Sequence, residues 1–187
     1  MYQIRWHGRG GQGAVTAARI LGMAASWQEH YYAQSFPAFG VERRGAPVLA
    51  FTKIDSSPIL DRSQVYEPDA VVVLDARLLQ GIDVTAGLKP GGQVIINCDR
   101  RPPGLPPGQF DCLTVNATAI ALEYLGRPIV NTAMAGALCA VLGFLPLNSI
   151  KEAIAETLPS NLVELNIKVA EVAYHEVISG KKGVLIA

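Results

Sequence analysis

The sequence predicts an α/β fold, a Rossmann-like three-layer domain with a mostly parallel sheet and a helical C-terminal third. A glycine-rich turn lies between a short apolar segment and a helix-forming segment near the N-terminus. Two continuous apolar runs, at 69–75 and 93–97, lack the alternation of a half-exposed strand, which indicates burial on both faces. With 187 residues, half of them hydrophobic, the chain is expected to form a single domain over 1–187.

Six segments have the composition of strands. They are Tyr2–His7, His30–Phe36, Pro47–Ile54, Asp69–Asp75, Gln93–Asn97 and Cys112–Val115. Between the first two, the segment Ala14–Trp27 repeats alanines at helical spacing, a face that packs closely on a sheet. The chain is therefore expected to begin with a β–α–β crossover.

The remaining helices follow the last strand. Asn116 is expected to cap a helix that runs to about Leu125, and Asn131 a second one through Phe144. Two further helices are predicted over 151–158 and 161–178. In the last, five apolar residues share a face, and core packing is a more favoured interpretation than a groove for a partner; they are Leu162, Leu165, Val169, Val172 and Ala173.

Composition narrows the classes of partner. Sixteen basic and sixteen acidic residues give a net charge of zero, so no global field favours nucleic acid or an anionic membrane. The apolar stretch 129–147 is interrupted by polar residues and glycines, which indicates a buried helix rather than a membrane span. Cys98, Cys112 and Cys139 lack metal-ligand spacing, so we expect buried thiols and no metal site. An odd number of cysteines without a secretion signal suits the reducing cytoplasm, which is the expected location.

The glycine turn, Gly8-Arg9-Gly10-Gly11-Gln12-Gly13, matches the G-x-G-x-x-G dinucleotide fingerprint. Glycines at a strand-to-helix junction let the backbone approach an anion, and the first N–H groups of the helix have no partner within it. NAD would also require an acidic residue about 20 positions later, at the end of the second strand. Gln34 and Ser35 stand there instead, which weakens the NAD interpretation.

A second loop, 36–47, contains two prolines, two glycines and the adjacent pair Arg43-Arg44. An arginine fork donates two hydrogen bonds to one phosphate, so the pair suits the phosphomonoester of NADP or of coenzyme A. A bridge to a neighbouring subunit explains the pair equally well. Of the other polar residues, His7 is expected to be structural, and Asp75 to cap the turn at Ala76.

Three segments together resemble a known family. Ile4-Arg-Trp-His-Gly-Arg-Gly-Gly-Gln-Gly13, Phe39-Gly-Val-Glu-Arg-Arg-Gly-Ala-Pro47 and Asn131-Thr-Ala-Met-Ala-Gly-Ala-Leu138 resemble, in order and spacing, the gamma subunit of pyruvate and 2-ketoisovalerate ferredoxin oxidoreductases. The resemblance implies oxidative decarboxylation of a 2-oxoacid to acyl-CoA, with thiamine diphosphate, Mg²⁺ and iron–sulfur clusters. It also implies alpha, beta and delta-type partner subunits and ferredoxin or a similar acceptor.

By the same resemblance, this chain holds none of those cofactors alone. It lacks the Gly-Asp-Gly signature of thiamine enzymes, and three cysteines are too few for one four-thiolate cluster. The family's gamma-type domain contributes to holding coenzyme A, which implies a binding site at Gly8, Arg9, Gly10, Gly11, Gln12, Gly13, Arg43 and Arg44, with no catalytic residue on the chain. Two alternatives stay open: a free-standing NADP-binding oxidoreductase, and a structural gamma subunit that binds no ligand.

Overall fold

A six-stranded mixed sheet forms the centre of the structure, a computed structural model that describes residues 1–38, 45–103, 105 and 110–184. Its strands are β1 (Tyr2–Arg9), β2 (Tyr32–Pro37), β3 (Pro47–Asp55), β4 (Ala70–Val73), β5 (Gln93–Asn97) and β6 (Asp111–Val115). They lie in the order β2-β3-β1-β4-β5-β6, and β3 alone among them runs antiparallel to its neighbours. The predicted fold class and its mostly parallel sheet are confirmed.

The first crossover differs from the expected simple β–α–β unit. After β2 the chain returns, and β3 pairs with β1 along its whole length, from Tyr2 opposite Ile54 to Arg9 opposite Pro47. β2 and β1 run in the same direction, but β3 lies between them. The end of β2, where an NAD-binding fold places its acidic residue, is therefore one strand away from the glycine turn.

Five α-helices share one hydrophobic core on one face of the sheet: α1 (Ala14–Ser26), α2 (Ala117–Leu125), α3 (Asn131–Cys139), α4 (Leu147–Thr157) and α5 (Ser160–Val184). The opposite face of β4 and β5 packs instead against a 3₁₀ helix, Ala76–Gln80, and nearby loop residues such as Val84 and Leu105. Among the described residues no helix combines the length and apolarity that a membrane span requires.

The observed helix ends match some of the predicted caps and boundaries and differ from others. Asn116 caps α2, because its side-chain oxygen accepts the Ala119 N–H at 2.9 Å. Asn131 does not cap α3; it is the first helical residue, Val130 occupies the cap position, and no side chain caps this end. The helix ends at Cys139 rather than Phe144, ahead of Gly143 and Pro146, two poor helix formers. Pro146 precedes α4, which starts four residues before the predicted position.

The buried face of α5 is rotated from the predicted one. Leu162 and Leu165 are 45% and 47% exposed, whereas the buried residues are Asn166, Val169, Ala170, Ala173 and Val177. The rotation follows from close contact between α3 and α5, where the backbone of Ala170 occupies the space that a Cβ on Gly136 would need. The prediction of core packing was therefore wrong for these two leucines and correct for Val169, Ala173 and the partly buried Val172.

Candidate functional site

The glycine turn joins the end of β1 to the start of α1. Gly11 and Gly13 have φ of +92° and +79°, left-handed values that disfavour any residue with a Cβ. Gly13 is the N-cap of α1, and no side chain caps this end. The first N–H groups of α1 therefore have no helical partner, and the positive end of the helix dipole lies at the turn. The turn lies at a strand-to-helix junction, as expected from the sequence, and the binding of an anion there stays a prediction.

The C-terminal end of the predicted loop 36–47 is hydrogen-bonded to the glycine turn. The Gly10 N–H donates to the Ala46 carbonyl at 2.9 Å, and the Gly45 N–H donates to the Gly10 carbonyl at 3.1 Å. Arg9 Nη1 also donates to the Gly45 carbonyl, at 3.1 Å. Arg43 and Arg44 lie outside the described residues. Gly45 directly follows them in the chain. The glycine turn and the C-terminal end of the loop 36–47 are therefore hydrogen-bonded to each other.

Asp75 connects the turn to the end of β4. Its Oδ2 accepts from Arg9 Nε (3.0 Å), Gln12 Nε2 (3.2 Å) and Arg77 Nη2 (2.8 Å), and its Oδ1 accepts from the Arg77 N–H and Nε. The predicted cap is confirmed, since Asp75 caps the 3₁₀ helix. The Arg77 hydrogen bonds hold the pKa of this carboxyl far below its ordinary value. Two guanidinium groups and one carboxylate leave one net positive charge.

Arg9 and Gln12 form part of the turn's own framework. Gln12 Oε1 accepts the Arg9 N–H at 2.8 Å while its Nε2 donates to Asp75. Gly8 lies within β1, and a Cβ there would be 3.1 Å from the Cβ of Ala14. The hydrogen bonds of Arg9 and Gln12 and the close packing at Gly8 therefore fix the shape of the turn.

Asn131, which was predicted only as a helix cap, lies against the glycine turn. It is 7% exposed, its Oδ1 accepts the Thr132 N–H, and its Nδ2 lies 2.8 Å from where a Cβ on Gly13 would be. The start of α3 thus packs against the start of α1, and neither has a side-chain cap. The signal was present, because Asn131 begins one of the three segments that carry the family resemblance.

A cavity of about 380 Å³ opens beside the turn, at the carboxyl edge of the parallel strands. Its lining includes Gln12, Asp75, Arg77, Asn97, Thr118 and Val130. Asn97 is fixed there by donating to the Leu74 carbonyl and accepting the Thr118 N–H. Ligands of open α/β sheets bind at this edge, so the cavity, the glycine turn and Asn131 form one candidate site.

The other titratable candidates do not offer reactive groups. His7 is buried, accepts a hydrogen bond from Arg5 Nε at 3.1 Å, and has its pKa lowered to about 3 by burial and by Arg5. Burial raises the pKa of Cys98 to about 11 and that of Cys139 to about 12. Within the described ranges, no three His, Cys, Asp or Glu side chains are grouped to hold a metal.

Comparisons with known proteins agree on one family. Residues 3–176 match the family model of pyruvate ferredoxin/flavodoxin oxidoreductase. A relative from Thermococcus kodakarensis, the common subunit gamma of pyruvate/ketoisovalerate oxidoreductases, is 53% identical over 95% of this chain and 98% of its own length.

Two solved structures share the fold. Pyruvate oxidoreductase subunit PORC from Thermotoga maritima is 35% identical, with a TM-score of 0.80 over 93% of this chain and 95% of that one. The 2-oxoglutarate:ferredoxin oxidoreductase of Magnetococcus marinus, solved with 2-oxoglutarate, coenzyme A and succinyl-CoA, is 14% identical, with a TM-score of 0.72 over 95% of this chain and 31% of that one. The chain belongs to the pyruvate ferredoxin/flavodoxin oxidoreductase family, as a gamma subunit of a 2-oxoacid oxidoreductase complex.

Proposed function

We propose that this gamma subunit binds coenzyme A and orients its thiol toward an acyl group formed on another subunit. The observation that carries the proposal is the hydrogen-bonded junction between the glycine turn and the end of the arginine loop, at Gly10, Gly45 and Ala46. It joins two segments, each of which suits a phosphate for a different physical reason.

The local electrostatics favour the phosphates of coenzyme A. A diphosphate suits the left-handed turn at Gly11 and Gly13, where backbone N–H groups and the dipole of α1 are available. The side chains of Arg9, Arg77 and Asp75 add one net positive charge beside it. The phosphomonoester would then bind the Arg43-Arg44 pair, since an arginine fork matches a phosphate.

In this proposal, this chain positions coenzyme A, and its partner subunits make and break the bonds. The resemblance implies thiamine diphosphate, Mg²⁺ and iron–sulfur clusters for the complex, and the described residues here do not group the ligands that a metal or cluster needs. As the resemblance implies, we assign those groups to the partner subunits, which would pass electrons to ferredoxin or a similar acceptor. Holding a thiol in place is itself a large contribution, because fixed geometry replaces a bimolecular encounter.

The solved structure from Magnetococcus marinus combines this fold with the proposed class of ligand. That protein was solved with coenzyme A and succinyl-CoA, and its fold matches this chain. At 14% identity the likeness concerns the fold alone, so the residues proposed here rest on the geometry of this chain.

Charge reversal in the arginine loop tests the proposal. The assembled complex carrying Arg43→Glu and Arg44→Glu should show a KM for coenzyme A raised about 10- to 150-fold, since a charge-assisted hydrogen bond contributes roughly 1.5–3 kcal/mol. The KM for the 2-oxoacid should not change. Arg19→Glu, a single charge reversal at an exposed position of α1, is the control. An unchanged KM for coenzyme A in a complex of intact composition would refute the proposal.

A further inference from the structure

Arg77 lies on the 3₁₀ helix Ala76–Gln80, which follows β4 at the carboxyl edge of the sheet. Its side chain is 73% exposed and lines the cavity of about 380 Å³ beside the glycine turn. Arg77 is not among the binding residues predicted from the sequence, which lie in the glycine turn and in loop 36–47. It is therefore a further cation in the candidate site.

Asp75 fixes the orientation of the Arg77 guanidinium. Arg77 Nε donates to Asp75 Oδ1 at 2.9 Å, and Arg77 Nη2 donates to Asp75 Oδ2 at 2.8 Å, which is the two-point geometry of a strong arginine–carboxylate pair. Asp75 is only 7% exposed and also accepts from Arg9 and Gln12. An exposed side chain is thus held in one position, which reduces the entropy lost when it binds a ligand.

The edge of the guanidinium that faces away from Asp75 is free to bind a ligand. A guanidinium has five N–H groups, and two of those on Arg77 are directed at Asp75. The others have no partner among the residues that the structure describes. Donors on a planar group with a permanent charge suit an anion with several oxygen atoms, such as a phosphate.

The other polar side chains of the cavity are already hydrogen-bonded within the protein. Asn97 and Thr118 bond to each other, and Gln12 Nε2 donates to Asp75. Of the lining residues that the structure describes, Arg77 alone carries a positive charge. Arg77 is therefore the group in this cavity that is best suited to bind an anion.

Arg77 lies next to the glycine turn. Its Nη2 and the Nε2 of Gln12, which belongs to the turn, both donate to Asp75 Oδ2, at 2.8 and 3.2 Å. Loop 36–47 is hydrogen-bonded to the turn partly through Arg9, which is not among the described residues that line the cavity. Arg77 and loop 36–47 are thus linked to the turn through different residues, so they can bind different phosphates of one ligand.

We propose that Arg77 binds the diphosphate of coenzyme A together with the backbone of the glycine turn. The inference rests on the proposed function, which assigns the diphosphate to the turn and the phosphomonoester to Arg43 and Arg44. Loss of Arg77 should therefore weaken the binding of a ligand that carries the diphosphate, whether or not the ligand also carries the phosphomonoester.

Steady-state kinetics of the assembled complex with coenzyme A and with 3′-dephospho-coenzyme A test this assignment. Arg77→Ala should raise the KM about 10-fold for both thiols and leave kcat unchanged, because it removes a charge-assisted contact. Arg77→Gln, which keeps a donor for Asp75 without the charge, should raise the KM for both thiols as well. Arg19→Ala, which removes an exposed arginine of α1, is the control and should change neither KM.

The comparison of the two thiols separates this inference from the proposed function. An equal rise for both thiols in Arg77→Ala, with a larger rise for coenzyme A than for its dephospho form in Arg43→Glu/Arg44→Glu, supports the inference. A rise in Arg77→Ala that is confined to coenzyme A would overturn it, and so would no rise while Arg43→Glu/Arg44→Glu raises the KM. Both of those results would leave the proposed function standing, whereas no rise in either variant would overturn both.

Discussion

Two ionisable side chains near the end of β1 have opposite electrostatic environments. Asp75 accepts five hydrogen bonds, four of them from the arginines beside it, and stays ionised. His7 is buried next to Arg5, so its charged form is disfavoured by lost hydration and by repulsion. One group organises the site through its charge, and the other supports the sheet as a neutral acceptor.

The lowered pKa of His7 predicts a pH-dependent stability. Its pKa is about 3 in the folded chain against an ordinary 6.5, so the unfolded state binds one more proton between these values. Stability should therefore fall as pH drops below 6.5, by up to about 1.4 kcal/mol per pH unit from this residue. Chemical denaturation of the isolated chain between pH 6.5 and 5 measures the slope.

His7→Gln provides the control, since its amide oxygen can accept the Arg5 hydrogen bond without titrating. In this variant the free energy of unfolding should depend less steeply on pH, by a difference that corresponds to about one bound proton. Equal slopes in the two proteins would mean that His7 is protonated in the folded chain.

At the residue scale, local roles were predictable and long-range contacts were not. The cap by Asp75 follows from its position before a turn, and the structural role of His7 from its place in a strand. That Arg9 and Gln12 converge on Asp75, 66 and 63 residues away, depends on the parallel pairing of β1 with β4. No local pattern contains that information.

The glycine turn is an element whose two left-handed glycines differ in their surroundings. Alanine at either position adds left-handed strain of roughly 1–2 kcal/mol. A Cβ on Gly13 would also meet Asn131 Nδ2 at 2.8 Å, whereas one on Gly11 would meet nothing within 4 Å. Gly13→Ala should therefore lower the free energy of unfolding more than Gly11→Ala in chemical denaturation, and equal losses would show that the contact with Asn131 carries no cost.

The contact between α3 and α5 makes a second prediction at this scale. Gly136→Ala places a methyl group against the backbone of Ala170 and should reduce the free energy of unfolding by roughly 1–3 kcal/mol. Gly143 has open space and no positive φ, so Gly143→Ala should stay within about 0.5 kcal/mol of the parent. Thermal and urea unfolding compare the pair; a tolerated Gly136→Ala would mean that the helices can separate freely.

Elements were more predictable than their arrangement. The six strands follow from segments of strand-like composition, and the α2 cap from Asn116. The position of β3 beside β1 does not follow from the sequence. The apolar pattern of β1 would be the same whether β2 or β3 paired with it. Likewise, α5 has more apolar positions than one face can bury. The contact at Gly136 decides which face of α5 is buried, so Leu162 and Leu165 remain exposed.

At the scale of the whole molecule, the candidate site lies at one edge of the sheet. The glycine turn and the cavity lie together at the carboxyl edge, and the start of α3 packs against the turn through Asn131. The sparse charge of the chain, 17% of its residues, fits a protein that is partly covered by partners.

Hydrogen exchange in the assembled complex, with and without saturating coenzyme A, detects whether coenzyme A binds at the glycine turn. Bound phosphates should slow exchange of the backbone N–H groups in peptides covering Gly11 to Val15, while peptides from α4, far along the chain from the turn, keep their rates. NADPH at the same concentration should protect neither region. Identical exchange at the turn with and without coenzyme A would contradict binding of coenzyme A at the glycine turn and favour a purely structural gamma subunit.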